Sequence, residues 1–223
     1  MTCRHVTLRH ELIERIYAMP KDTFYNLEPA KKQRLFVASK AEFSHKSFAD
    51  SAISEIVKMA GISRGSFYQY FEDKLDCYLY FVGQIQNERN QIFLDTLIAN
   101  QGDLIVATKH FFTISIEDVL HGTYADFYQT MITAHDFRLH RFLHHGSRQQ
   151  LVNDLYQQTD LSRLKVNNLE DFRYLIEMIL NIFFRSIGSY FINSRSQTQP
   201  TVEQIKKRCL LMLDWLANGV AIN

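Results

Sequence analysis

The residues best suited to act on another molecule fall in one short run, Ser63-Arg64-Gly65-Ser66-Phe67-Tyr68-Gln69-Tyr70. At helical spacing Phe67 and Phe71 turn toward a core, which leaves Ser63, Arg64, Ser66, Tyr68 and Gln69 outward. Small hydroxyls, a guanidinium and a phenol suit the major groove of DNA: Arg can fork onto a guanine edge, and Ser or Tyr can reach a phosphate. The sequence carries no His-Glu-x-x-His, Cys-x-x-Cys, glycine-rich phosphate loop or Ser/His/Asp ordering, so an enzyme is not expected. Cys3, Cys77 and Cys209 are too scattered for a disulfide framework or a zinc site, and they fit a reduced, cytoplasmic setting. No cofactor is expected.

Ligand-type residues also occur later in the chain. His140 and His144 stand at i and i+4, with His110, His121, His135 and His145 elsewhere in the same half. Such a pair could take a metal or haem, which gives a rival reading: a helical haem- or metal-binding sensor or carrier with a vestigial DNA-binding head. Arg138, Arg141 and Arg148 share the stretch, so the simpler reading is a solvated basic face. Phe111, Phe112, Tyr124, Phe127, Tyr128 and Phe137 are either plain core or the lining of an effector pocket between helices.

The elements that must hold these groups are helices. The 223 residues include only 8 Gly and 3 Pro, and 46% are hydrophobic. Breakers are well under half their usual share of about 12%, so an all-α fold with a real core is expected. The net charge of +1 divides unevenly, a mildly basic block over 29–74 preceding a mildly acidic remainder. That distribution fits a phosphate-contacting head on a separate body. Pro29 opens one helix, and His45–Asp50 interrupts it. Ser51 is expected to cap the next, with Ile53, Ile56, Val57 and Ala60 as its apolar stripe. Gly61 then supplies a left-handed stop, Ser63 caps a short third helix, and Asp73 caps a long fourth.

Further helices are expected from Gly102–Asp103 to about Val119, around Thr123–Ala134, and from Asp136 to about Gln158. The last two each carry two apolar faces. Phe172, Ile176, Ile179, Phe183 and Ile187 line one side of the first, and Leu175, Met178 and Ile182 a second. Ile205, Met212, Leu213 and Leu216 line one side of the last helix, with Leu211 and Trp215 on another. Two apolar faces imply burial on both sides, so a homodimer through a four-helix bundle is expected, with the first-named faces at the interface. Leu175–Phe184 is interrupted by Glu177 and followed by Arg185, so no membrane association is expected.

Residues 51–71 form two helices joined by a glycine turn, a helix-turn-helix. In Phe43, Ser51, Ile56, Ala60-Gly61-Ile62-Ser63, Gly65, Phe67-Tyr68, Tyr70-Phe71 and Lys74, residues 29–89 resemble the N-terminal domain of TetR-family transcriptional regulators. The resemblance implies a repressor with a double-stranded DNA operator and an unidentified small-molecule effector. It implies a DNA-contacting set of Lys46, Ser51, Ser63, Arg64, Gly65, Ser66, Phe67, Tyr68, Tyr70 and Lys74, with Lys74 on a phosphate. The chain departs from the family at His45-Lys46-Ser47-Phe48, where a glycine is usual, so that turn needs another geometry. It departs again at Leu75-Asp76-Cys77-Tyr78, in place of the more usual acidic pair and leucine.

The expected organisation is therefore an extension over 1–28, a DNA-binding domain over 29–89 with its motif at 52–71, and a helical ligand-binding and dimerisation domain over 90–223. Leu8, Leu12 and Ile16 permit a short amphipathic helix ahead of Pro20, but translation is expected to begin at Met19.

Overall fold

A computed structural model of the chain describes residues 20–134, 149–192 and 199–220. The extension before Pro20, His135, His140, His144, His145, Phe137 and the start of the helix expected at Asp136 lie outside the described residues. The elements are α1 (Asp22–Tyr25), α2 (Pro29–His45), α3 (Ile53–Ala60), α4 (Arg64–Tyr70), α5 (Lys74–Ala99), α6 (Leu104–His121) and α7 (Ala125–Thr133). After them come α8 over 149–158, a 3-10 turn at Leu161–Arg163, α9 (Leu169–Ile192) and α10 (Val202–Val220). The fold is all-α, with no strand element among the described residues.

Most helix boundaries follow the local chemistry of the sequence. Pro29 stands in the first turn of α2, where its missing N–H has no intrahelical partner to lose. Gly61 ends α3 in the left-handed region at φ 65° and ψ 40°. Ser63 caps α4 by accepting from the Ser66 N–H, and Asp103 caps α6 by accepting from Val106. Asp73 Oδ1 accepts from the Asp76 N–H at 3.0 Å. Ser51 corrects its expectation: Ala52 is the cap position of α3, and Ser51 is buried with its hydroxyl donating to the Phe48 carbonyl.

The chain forms two compact units. One holds the described residues 20–87 and 129–134; the other holds 88–128, 149–192 and 199–220. By this division residues 20–28 and the end of α7 group with the head, and 88–89 with the body. Its core is aromatic. Phe24, Phe43, Phe67, Phe71, Tyr78 and Phe81 are buried, with Ile56 and Leu35 among them. Phe43 meets Tyr78 edge-on at 4.9 Å between centroids, and Phe24 meets Tyr80 at 4.7 Å. Burying each such ring contributes about 1.5–3 kcal/mol.

In the second unit α6 packs against α10 and α9. Phe93 stacks on Phe111 at 4.6 Å, and Phe183 reaches Phe112 at 4.8 Å. The expected dimer face is corrected here. Phe172, Ile176, Ile179, Phe183, Ile187, Ile205 and Leu213 are buried inside this one chain, and Met212 and Leu216 are half-buried. The seven buried side chains face neighbouring helices of the same chain, and Met212 and Leu216 keep part of their surface. The large apolar side chains left outward are Leu169, Tyr174, Met178 and Ile192 on α9 and Leu211 and Trp215 on α10. At 24 residues α9 is long and apolar enough by composition to cross a bilayer, contrary to the short segment read in the sequence. Its inner stripe is packed within the unit.

Candidate nucleic-acid interface

One face of α4 is turned outward from the head. Ser63, Arg64, Gly65, Tyr68 and Gln69 are exposed, and Ser66 is half-buried. Ser63 and Ser66 hydroxyls lie 2.9 Å apart. The Arg64 guanidinium sits 6.0 Å from the Tyr68 ring centroid, and Nη2 donates weakly to the Tyr68 hydroxyl at 3.5 Å. The two side chains thus support each other in an extended, solvent-facing posture. Phe67 and Tyr70 are buried and hold the helix from beneath, so they serve the packing of α4 and offer no side-chain surface.

Gly65 is informative because nothing in the chain requires it. Its φ is not in the left-handed region, and an added Cβ would meet only Ser63 Oγ at 3.8 Å. A glycine within a short helix lowers stability by about 0.5–1 kcal/mol relative to alanine. Its bare backbone leaves room for close approach from outside.

The C-terminal end of α4 is capped by a segment that the sequence reading left outside the domain. Lys21 N–H donates to the Tyr70 carbonyl at 2.9 Å, Lys21 Nζ donates to the Tyr68 carbonyl at 3.0 Å, and Thr23 Oγ1 donates to the Gln69 carbonyl. The last carbonyls of a helix have no partner within it. Here all three find one, and the Lys21 charge also complements the helix dipole. Lys21 pairs with Glu72 at 2.9 Å, and Phe24 packs on Phe71 at 5.3 Å. The periodicity of the short α1 gave no signal; the pair of donors immediately before a buried Phe was the only available hint.

The loop from 46 to 52 replaces the missing glycine turn with charged groups. Lys46 ends α2 in extended backbone, φ −132° and ψ 145°. Glu42, on α2 and 4% exposed, accepts from the Ala52 N–H at 2.8 Å and from Lys46 Nζ at 3.0 Å. Lys74 Nζ donates to the carbonyls of Phe48 at 2.6 Å, Ala49 at 3.2 Å and Ser51 at 2.7 Å. An ammonium has three N–H donors, and all three meet acceptors within the protein. The phosphate contact implied for Lys74 therefore has no free donor in this arrangement. Lys46 remains partly exposed, and Ser51 does not reach the surface.

The body groups sort differently. Phe111, Phe112 and Phe127 are buried core, while Tyr124 and Tyr128 are half-buried. Burial raises the Tyr128 phenol, with Arg89 pulling the other way. Burial also holds the thiols of Cys77 and Cys209 up at about 12 and about 11, so both are protonated at neutral pH. Among the described residues no three His, Cys, Asp or Glu side chains gather to hold a metal ion.

Residues 103–220 match the sequence family described as Tetracyclin repressor-like, C-terminal domain, and residues 35–81 match Bacterial regulatory proteins, tetR family. Over 43 residues the chain is 49% identical to the uncharacterized HTH-type transcriptional regulator YdgC of Bacillus subtilis. That match covers 19% of this chain and 22% of the relative, well short of two thirds of its length. A solved structure from Mesorhizobium loti, assigned to the TetR-family regulators, superposes with a TM-score of 0.61 at 12% identity, over 88% of this chain and 100% of that one. A TetR-family transcriptional regulator from Pectobacterium atrosepticum gives 0.56 at 17% identity, over 87% and 96%. These two share the fold.

Proposed function

The chain belongs to the TetR family of bacterial transcriptional regulators, which bind DNA and carry out no catalysis, and from that premise we propose that it is a cytoplasmic, effector-responsive repressor acting as a homodimer on a palindromic operator. The observation that carries the reading is the outward face of α4, with Ser63, Arg64, Tyr68 and Gln69 exposed around a glycine that no internal contact demands. Arg64 reads a base edge, Tyr68 and the Ser63–Ser66 pair position the backbone, and Gly65 admits the sugar–phosphate chain. Lys46 lies at the end of α2 with part of its side chain free for a second phosphate contact.

Two such heads need a fixed spacing, because major grooves on one face of DNA recur about every 34–36 Å. The surface proposed to provide it is formed by the outward Tyr174, Met178, Leu211 and Trp215, the last 65% exposed. Large apolar side chains left outward on two helices that pack together support an interaction surface.

The effector reading is supported by the interior of the body. Among the described residues its buried polar side chains are Thr108, Ser115 and Ser186, with no buried charge. Thr108 and Ser115 hydroxyls lack partners; they stand at i and i+7 on α6, flanking Phe111 and Phe112. An unmade hydrogen bond costs about 1–3 kcal/mol, so these groups suit an uncharged, largely aromatic effector with hydrogen-bonding substituents. By linkage, it relieves repression only if it prefers a dimer spacing that does not fit both grooves.

The test is selection from random DNA by the purified full-length chain, followed by sequencing. An inverted repeat with half-site centres about 10–10.5 bp apart, or a multiple of that, is expected. Recovery of unenriched sequence would overturn the reading.

A further inference from the structure

We propose that Glu42 and Lys74 form a clamp on the loop between α2 and α3, and that Lys74 is a positioning residue for DNA binding and not a phosphate contact. The proposal rests on the DNA-binding reading above.

A chain that reverses between two helices must find partners for the backbone groups it exposes on the way. Here no residue of the loop takes a left-handed conformation; among the described residues only Gln101, Gly61 and Gly102 have positive φ. Part of the accounting is local. The Ser51 N–H donates to the Ser47 carbonyl at 2.9 Å, and the Asp50 N–H donates to Ser47 Oγ at 3.2 Å. The Ser51 hydroxyl also donates to the Phe48 carbonyl at 2.9 Å. Two further partners come from outside the loop, and both are charged. Glu42 reaches from α2 to the Ala52 N–H, the cap position of α3, where no side chain of the loop itself makes a cap bond. Its negative charge lies at the positive end of the α3 dipole.

Lys74 takes the opposite sign. Three carbonyl oxygens from Phe48, Ala49 and Ser51 converge on one nitrogen, and the ammonium also lies 4.7 Å from the Phe48 ring centroid. Converging carbonyls repel one another unless a cation sits among them, so the loop takes this shape because the cation is there. Lys74 is the first residue of α5. The start of α5, the end of α2 and the start of α3 are thereby joined through one short loop. A displacement of this end of α5 pulls on three carbonyls immediately ahead of the helix-turn-helix, which makes Lys74 the point where such a movement reaches the reading head.

A clamp and a phosphate contact differ in what they predict. Each phosphate-bound lysine releases about one counterion, so its loss lowers the slope of log affinity against log salt by about 1 on any DNA. A clamp holds geometry, so its loss weakens the selected site and leaves the slope alone. Arginine separates them again: it keeps the charge for a phosphate, but its planar fork cannot aim three N–H bonds at three carbonyls around one point.

The experiment measures binding of full-length wild type, Lys74→Met, Lys74→Arg and Glu42→Gln to the enriched fragment and to a scrambled one, from about 50 to 200 mM salt. Expected are a roughly tenfold loss on the enriched fragment for all three variants, less than about twofold on the scrambled one, and unchanged slopes. A slope lowered by about 1, or wild-type affinity in Lys74→Arg, overturns the proposal. A second arm needs no DNA, and so separates failure of the clamp from failure of the regulator reading. Amide exchange at Ala52 and its neighbours should accelerate about tenfold in Glu42→Gln and in Lys74→Met, with the amides of α10 unchanged. Unaltered exchange at Ala52 overturns the clamp whatever the protein binds. If Lys74→Met does not fold, Glu42→Gln and Lys74→Arg carry both arms.

Discussion

Both units have apolar cores, and they differ in the polar groups those cores enclose. In the head, charged groups are buried or half-buried against backbone: Glu42 on the Ala52 amide, Lys74 on three carbonyls, and Asp76 on the Glu72 amide at 2.8 Å. In the body, the described interior holds no buried charge; it has apolar side chains and three hydroxyls, two of them unmatched. Hydrogen bonds are directional, so the head has its angles fixed. Apolar burial is non-directional and rewards contact area with little regard to orientation. A head so braced presents one fixed reading surface, while a body so filled can re-pack at modest cost. That division suits the proposed pairing of a DNA-binding head with an effector-responsive body.

The comparison breaks most visibly if the body's stripes are not its own core. Ile179→Glu would bury a charge where the unit has none, and a loss of more than about 4 kcal/mol is expected, seen as collapse of the thermal transition. Trp215→Glu should leave that transition nearly in place and shift sedimentation from dimer to monomer. A folded, monomeric Ile179→Glu protein would return the interface to the face first expected from the sequence.

The next effect belongs to the head. Arg64→Ala should cost about 1–3 kcal/mol on the enriched DNA and relax preference at one position in each half-site. An equal loss on scrambled DNA would make Arg64 a backbone contact, and the braced surface would then position without reading.

The sequence was more informative about the head than about the body, for a physical reason. Gly61, Ser63 and Asp73 act on their own neighbours within three residues, so their roles as stop and caps could be read directly. Glu42 and Lys74 act on amides and carbonyls 10 to 26 positions away, and nothing in local spacing points to them. Lys21 and Thr23 cap α4 across 47 and 46 positions, and that separation is why residues before 29 were read as an extension. In α9 and α10 the two apolar faces were legible, and so was the need to bury both. Which face meets the same chain and which meets a partner is a question of topology. Ile179 and Met178 are both large and apolar at adjacent positions, yet one is fully buried and the other 43% exposed.

A smaller effect tests the body's unmatched hydroxyls. Thr108→Val and Ser115→Ala each remove a buried group without a partner, and each should stabilise the free protein by about 1 kcal/mol, raising its thermal midpoint. Destabilisation by either change would show that the hydroxyl is engaged in the free protein, which would leave the Ser44 hydroxyl of the head as the unmatched one.

The smallest effect is also the most discriminating for the head. Gly65→Ala places a methyl group at ordinary van der Waals distance, 3.8 Å, from Ser63 Oγ, on a residue with no left-handed backbone. Alanine is the better helix former by about 0.5–1 kcal/mol, so the free protein should become more stable by that amount. If the bare backbone is there to admit a sugar–phosphate chain, the same methyl must then weaken binding to the enriched fragment. Stability and affinity would move in opposite directions from one added carbon. Paired thermal melts and anisotropy titrations on the same preparation read both. A more stable protein with undiminished affinity would mean that DNA does not approach α4 at Gly65, and the outward face of Arg64 and Tyr68 would have to be docked from another side.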